Sequence, residues 1–236
     1  MLNIEVGFLT DVGRRRSANE DTFLVDQELG LYLVADGMGG HMAGEVASAL
    51  AVEVFRESLV YSRTQNASPV DRMRYAMAAA NRTVRGKALA NPLWGGMGTT
   101  ITALLKDDNR FVIANVGDSP AYLQRDGSAT LVSQTHTVAE ERGVSQGGLP
   151  PSFYHHILTR SIGTRQDVDP YVAPLDVQRG DILVICSDGL SDKVQPHEIM
   201  RIATFSTPTS ACRQLVHIAN ERGGEDNITV LVLRFI

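Results

Sequence analysis

The chain reads LYLVADGMGGH from Leu31 to His41. Its first five residues, 31–35, are apolar and predict a buried strand. Asp36 follows directly, and an ionised carboxylate at the end of a core strand is costly unless a cation or hydrogen-bond donors contact it. Three of the next four residues are glycine, which lets the backbone turn sharply and approach another group closely. The stretch therefore indicates a metal or phosphate site.

The same arrangement recurs at three other predicted strands, at residues 111–116, 182–187 and 228–233. Each has an aspartate at one end with glycine beside or near it; these aspartates are Asp118, Asp188 and Asp226. A single Asp-Gly pair is usually only a turn. Four separate turns are therefore the alternative, but the recurrence favours one shared acidic cluster.

Bulk properties exclude several classes of protein. The 236 residues suit a single compact domain, and the net charge of -5 disfavours nucleic acid or an anionic membrane as a partner. The chain has no signal-peptide pattern and no apolar run of the roughly 20 residues that span a bilayer, so we expect a cytoplasmic protein. The two cysteines, Cys186 and Cys212, are expected to be buried thiols.

Periodicity predicts groups of consecutive strands with helices inserted between them. The predicted strands are residues 3–9, 22–26, 31–35, 99–105, 110–117, 120–124, 129–132, 182–187 and 228–235. The predicted helices are residues 43–59, 69–90, 196–204 and 208–222, with a further short one at 138–142. This order favours antiparallel sheets with helices packed outside over a parallel sheet. The polar segment 133–170 is expected to be a lid or mobile loop.

A second acidic locus lies upstream of the opening stretch. Glu20 and Asp21 precede a predicted strand, and Arg16 stands a few residues before them. Arg14 and Arg15 are expected to be solvated. Arg16, held beside carboxylates that bind cations, is well placed to bind a phosphate group bidentately.

The candidate ligands are all hard oxygen donors: Asp36, Asp118, Asp188, Asp226, Glu20 or Asp21, and the carbonyl of Gly37. The chain has no zinc-binding motif, so Mg²⁺ or Mn²⁺ is favoured. Four or five carboxylates suit two or more ions, and an ion pair about 3.5–4 Å apart can activate a bridging water. Because the chain also lacks a nucleophilic serine or cysteine motif and a phosphate-binding loop, metal-assisted hydrolysis of phosphate esters fits best.

As a set, seven motifs resemble the metal-dependent protein serine/threonine phosphatases of type 2C (PPM), in the compact bacterial form. They are Thr-Asp-x-Gly-x-x-Arg-x-x-Asn-Glu-Asp (10–21), Val-Ala-Asp-Gly-Met-Gly-Gly-His-x-x-Gly-Glu-x-Ala-Ser (34–48), Gly-Met-Gly-Thr-Thr (96–100), Asn-Val-Gly-Asp-Ser (115–119), Leu-Thr-Arg-Ser-Ile-Gly (158–163), Ser-Asp-Gly-Leu (187–190) and Gly-Gly-x-Asp-Asn-Ile-Thr-Val (223–230). They occur in the family's order and span nearly the whole chain.

The resemblance implies an α+β fold, a four-layer αββα sandwich of two antiparallel sheets flanked by helices. Residues 1–236 would form one catalytic domain, with a flap at about 133–165. The implied metal residues are Asp36 bridging two ions, Gly37 on the first, Asp188 and Asp226 on the second, Asp118 with Asp188 on a third, weaker ion, and Glu20 and Asp21 on bound waters. Arg16 would bind the phosphate, and Asn227 would orient its neighbours.

The implied activity is hydrolysis of phosphoserine and phosphothreonine in proteins by a water activated between two Mg²⁺ or Mn²⁺ ions. The implied partners are phosphorylated proteins and a bacterial serine/threonine kinase that the enzyme opposes; we expect a monomer. Two alternatives are a catalytically weak phosphoprotein-binding module of the same fold and another two-metal phosphoesterase, such as a nuclease.

The chain departs from the family pattern at several positions. Met38 stands where many eukaryotic relatives have a histidine that is proposed as the general acid; His41 is one candidate to replace it, and a metal-bound water is the other. Pro120 follows Gly-Asp-Ser where the family usually has arginine. His136 follows Gln-Thr where relatives often show Asp-His-Ser.

Overall fold

The computed structural model describes residues 2–39, 43–65, 67–142, 154 and 156–236. The strands are β1 (Ile4–Asp11), β2 (Asp21–Asp26), β3 (Leu31–Met38), β4 (Gly98–Thr99), β5 (Ile101–Asp107), β6 (Arg110–Val116), β7 (Ala121–Arg125), β8 (Ser128–Leu131), β9 (Tyr171–Leu175), β10 (Ile182–Cys186) and β11 (Ile228–Phe235). The α-helices are α1 (Ala43–Ser62), α2 (Pro69–Ala90), α3 (Val138–Arg142), α4 (Asp188–Ser191), α5 (Pro196–Phe205) and α6 (Pro208–Glu221).

The strands form two antiparallel sheets. The first has the order β1-β11-β10-β7-β8, and the second has the order β2-β3-β5-β6-β9, with β4 paired to β3. The chain therefore places its last described strand, β11, between β1 and β10. This arrangement brings the first and last thirds of the chain into one sheet.

The sheets pack face to face, and helices cover both outer faces. Along β3, Tyr32 and Val34 face the other sheet, whereas Leu31, Leu33 and Ala35 join the core formed with α1 and α2. Helices α5 and α6 cover the outer face of the first sheet in the same way. Because both faces of the central strands are buried, their sequences are continuous apolar runs. The predicted αββα sandwich is confirmed.

The main helices begin where the sequence predicts. Pro69 is the first residue of α2, and the side chain of Ser68 accepts a hydrogen bond from the Asp71 amide. Thr207 caps α6 in the same way, through the Ser210 amide. Both cysteines are buried free thiols, as expected. No helix in the described part of the chain is long and apolar enough to cross a membrane.

Two elements were not predicted. Strand β9 lies at the edge of the second sheet and contains Pro174, which interrupts a strand signal but is tolerated at a sheet edge. The short helix α4 begins at Asp188, two residues after the end of β10, where the sequence predicted no helix. Strand β9 is defined by its pairing with β6 rather than by its local pattern.

Candidate active site

An open cleft of about 600 Å³ lies at one end of the sandwich. Its lining includes six of the predicted site residues with charged side chains: Arg16, Glu20, Asp36, Asp118, Asp188 and Asp226. Gly37 also lines the cleft, whereas Asp21 lies behind it, between the sheets. The structure thus brings together carboxylates that are up to 206 positions apart in the chain, from Glu20 to Asp226.

Asp36 is held by its backbone. Its amide donates to the Thr100 hydroxyl (2.9 Å), and its carbonyl accepts from the Thr100 amide (2.8 Å) and the Thr99 hydroxyl (2.8 Å). The carboxyl group is therefore left to face the cleft. Burial raises its pKa well above the usual range, and the nearby carboxylates of Asp21 and Asp188 raise it further.

Asp21 is paired with Asp36 in the β2–β3 register and is buried. Its carboxylate accepts a hydrogen bond from the Ser187 hydroxyl (2.8 Å), and that hydroxyl in turn accepts from the Thr229 amide (2.9 Å). Burial raises the pKa of Asp21 to about 7, although the side chains of Thr229 and Ser187, which donate hydrogen bonds to it, oppose the shift. Ser187 thus connects the two sheets directly beneath the cleft.

Asp188 and Asp118 lie beside Asp36. Burial, with Asp192 and Asp226 nearby, raises the pKa of Asp188 to about 6. Burial, with the carboxylate of Asp188, raises the pKa of Asp118 to about 7. The cluster therefore retains protons when no cation is bound.

Arg16 lies at the rim, where its Nη2 is 2.7 Å from Oδ2 of Asp226. Both side chains are well exposed, 49% and 38%, so this ion pair is open to solvent and weak. Asn227 fixes the loop that carries Arg16. Its Oδ1 accepts from the Glu20 amide (2.8 Å), and its Nδ2 donates to the carbonyls of Val12 (2.9 Å) and Ala18 (2.9 Å).

Gly44, in the first turn of α1, is a site residue whose role the sequence reasoning missed. A methyl group there would overlap the Glu20 carboxylate, and a methyl group at Gly37 would overlap the carbonyls of Gly44 and Glu20. The Gly37 amide also donates to the Glu20 carbonyl (3.2 Å). Two glycines therefore let β3, α1 and the Glu20 side chain approach one another. The signal in the sequence is that Gly44 is one of the specified positions of the 34–48 motif.

The wall of the cleft that carries His156 includes residues that the sequence did not assign to the site, and Asp192 lies beside it. His156 and Asp192 are exposed, and Nδ1 of His156 is 3.6 Å from Oδ2 of Asp192. One ligand atom from each of His156, Asp188 and Asp192 lies within 4.8 Å of the other two. Arg165 and Thr164 also line this wall. His41, the predicted general acid, lies outside the described residues, whereas Met38 lines the cleft.

Comparison with known proteins agrees with this geometry. A model of the protein phosphatase 2C family matches residues 13–225. The chain belongs to this family of serine/threonine protein phosphatases, in its bacterial PPM type. The match covers nine-tenths of the sequence, including every predicted site residue except Asp226, which lies just beyond it.

Two similar proteins and one solved structure illustrate the family. The chain is 30% identical over 240 residues to the protein phosphatase PhpP of Streptococcus pneumoniae. This match covers 98% of the chain and 97% of PhpP. It is 33% identical over 227 residues to the serine/threonine protein phosphatase PstP of Mycobacterium tuberculosis, and this match spans 94% of the chain but only 43% of PstP. The crystal structure of the PstP catalytic domain with two manganese ions has a TM-score of 0.85, 30% identity and full coverage of both chains (100% each).

Proposed function

We propose that this protein hydrolyses phosphoserine and phosphothreonine esters in proteins and that it requires Mn²⁺ or Mg²⁺. The observation that carries the proposal is the convergence of carboxylates from both sheets on one cleft, with Arg16 at its rim. Membership of the protein phosphatase 2C family supports the reaction. We further propose that residues 1–236 act as one catalytic domain and as a monomer.

The donor set fits divalent metal ions. The carboxylates are hard oxygen ligands, and burial together with the neighbouring acids raises the pKa values of Asp36, Asp118 and Asp188, which a bound cation would offset. We propose that Asp36, Asp188, Asp226 and the Gly37 carbonyl hold two ions, and that Glu20 and Asp21 hold their bound waters. Asp118 and Asp188 would hold a third ion, with Asp192 and His156 close to it. When bound, such ions lower the pKa of a water and neutralise phosphate charge.

The chain's own groups then position the substrate. Arg16 is exposed and presents a planar fork of donors, which suits two oxygens of a phosphate group. Its Asp226 partner would be drawn to a cation, so the guanidinium would be free to bind the substrate. Met38 has no proton to donate, so His41 remains the predicted general acid. Phosphorylated targets of a bacterial serine/threonine kinase are the proposed substrates.

The direct test compares substrates and metals. With Mn²⁺, we expect hydrolysis of a small aryl phosphate and of phosphothreonine peptides, and no activity in excess chelator. Readdition of Mn²⁺ to the chelated protein should restore activity. Turnover that persists in chelator would contradict the proposal. Metal-dependent phosphopeptide binding without turnover would favour the binding module, and nicking of plasmid DNA would favour the nuclease.

Thermal stability should respond to Mn²⁺ in a pH-dependent way. The pKa values of Asp21, Asp118 and Asp188 are raised in the folded protein. The contribution of these carboxyl groups to stability is therefore fully present below about pH 4 and is lost as the pH rises through 6–7. Bound ions reverse this loss because they require the ionised carboxylates. Saturating Mn²⁺ should therefore raise Tm by about 5–10 °C at pH 7.5 and by much less at pH 5.

Scanning calorimetry across pH 5–8, with and without Mn²⁺, measures this difference. Sodium chloride at matched ionic strength is the control, because it screens charge without occupying the ligands. A gain in Tm as large at pH 5 as at pH 7.5 would show that the acid cluster is not where Mn²⁺ binds.

A further inference from the structure

His136 lies between two parts of the site that the mechanism above does not connect. It follows β8, precedes α3, and its side chain is fully buried. On one side it contacts Gly117, the residue before Asp118. On the other side it contacts the segment around Thr159, which lines the cleft.

The contact with Gly117 is reciprocal. The Gly117 amide donates to Nδ1 of His136 (3.1 Å), and the His136 amide donates to the Gly117 carbonyl (3.0 Å). Gly117 has φ of 106°, and a methyl group on it would overlap Thr100. His136 therefore holds the peptide planes on both sides of Gly117. The second of these planes leads directly into Asp118.

Backbone hydrogen bonds connect the segment of His136 to the cleft wall. The His136 carbonyl accepts from the Thr159 amide (2.9 Å), and the Val138 amide donates to the Ile157 carbonyl (2.9 Å). Between these bonds, Thr137 and Leu158 form an isolated antiparallel bridge. The turn before Asp118 and the wall that carries His156 are thus fastened to the same residue.

The chemistry of the ring fits this position. Because the lone pair of Nδ1 accepts the Gly117 amide, Nδ1 carries no proton, and the proton of the neutral ring lies on Nε2, which is 3.4 Å from Nη1 of Arg160. Burial and the neighbouring Arg160 guanidinium lower the pKa of His136 to about 4. The nearby charges belong to Arg160, which pairs with Glu141 (3.0 Å) and Asp169 (3.2 Å). The ring therefore remains an acceptor at neutral pH.

We propose that His136 is a positioning residue for Asp118: by accepting the Gly117 amide through Nδ1, it sets the direction in which the Asp118 carboxylate faces the cleft. The proposal rests on the proposed role of Asp118 as a ligand of the third ion. It also implies that His136 fixes the position of Asp118 relative to the cleft wall.

Matched variants test the acceptor. In His136→Asn, the amide oxygen is bonded to Cγ, as Nδ1 is, and can accept the Gly117 amide. His136→Leu has the same branching and no acceptor, and His136→Gln, whose amide lies one carbon further out, replaces it if the leucine variant does not fold. The readouts are hydrogen exchange of the Gly117 amide in the metal-free protein by NMR, and Mn²⁺ binding by electron paramagnetic resonance of the free ion.

For His136→Leu we expect about tenfold faster exchange at Gly117 and about tenfold weaker binding of the weakest Mn²⁺ ion. For His136→Asn both quantities should stay within about threefold of the wild type. In an Asp118→Asn background, the leucine substitution should not weaken Mn²⁺ binding further. A purely structural residue would lower stability without this pattern.

Two results would overturn the proposal in distinguishable ways. If His136→Leu binds Mn²⁺ as well as the wild type while Asp118→Asn binds it more weakly, His136 has no positioning role but Asp118 remains a ligand. Unchanged Mn²⁺ binding in Asp118→Asn itself would remove the ligand role of Asp118 and, with it, the inference built on that role.

Discussion

Asp36→Asn is expected to lower kcat for aryl phosphate hydrolysis by about a thousandfold and, at the same time, to stabilise the metal-free protein. The amide keeps the shape of the side chain but is a poor ligand for two cations. It also removes an ionisable group whose pKa is raised by burial and by the neighbouring acids, so the metal-free protein no longer has to keep a carboxyl protonated at that position. Kinetics at saturating Mn²⁺, together with urea unfolding in chelator, measure both effects.

Asp167→Asn is the matched control, since Asp167 is exposed and lies outside the acidic cleft. We expect it to change neither quantity. The diagnostic result for Asp36→Asn is a lower kcat together with a higher free energy of unfolding of the metal-free protein. A variant that loses activity because it folds poorly would instead lose both, and that outcome would contradict the assignment of Asp36.

Arg16→Ala is expected to lower kcat/KM by about a hundredfold, because charge-assisted hydrogen bonds to the phosphate are lost. Arg16→Lys should recover only part of this loss, since an ammonium group retains the charge but not the planar fork. The Mn²⁺ concentration for half-maximal activity should not rise in either variant. Removing the guanidinium frees Asp226, its partner at 2.7 Å, for a cation.

The neighbouring Arg15 provides the control. It is exposed, and its backbone amide donates to the Gly224 carbonyl (3.2 Å), a bond that Arg15→Ala retains. Steady-state kinetics at several Mn²⁺ concentrations should show a normal kcat/KM for this variant. A similar loss in both alanine variants would mean that the general positive charge of the loop, rather than Arg16, attracts the substrate.

The sequence predicts the acidic cleft well because its parts are local. An apolar strand that ends in Asp-Gly is visible in a few residues, and the structure places Asp36, Asp118 and Asp188 around one cleft. The long helices are predicted for the same reason, since their capping residues and their apolar faces are local sequence patterns. Their starts at Ala43 and Pro69 agree with the structure.

What the sequence could not predict depends on contacts between distant segments. Nothing near Ser187 indicates that its hydroxyl binds Asp21 across the sheets. Gly44 shows its role only when the Glu20 side chain is placed beside it. Nothing near His156 in the sequence indicates that Asp192, on another segment, lies 3.6 Å away. In each case the partner is set by tertiary packing.

The position of β11 has a consequence for how the enzyme is made. This strand is the last described part of the chain, yet it pairs with both β1 and β10, and Asp226 and Asn227 stand immediately before it. While the ribosome is still translating residues 228–235, the first sheet lacks an inner strand and Asp226 has no fixed place. A nascent chain therefore carries most of the acids without an assembled centre, and the acidic cleft can form only after β11 has left the ribosomal tunnel.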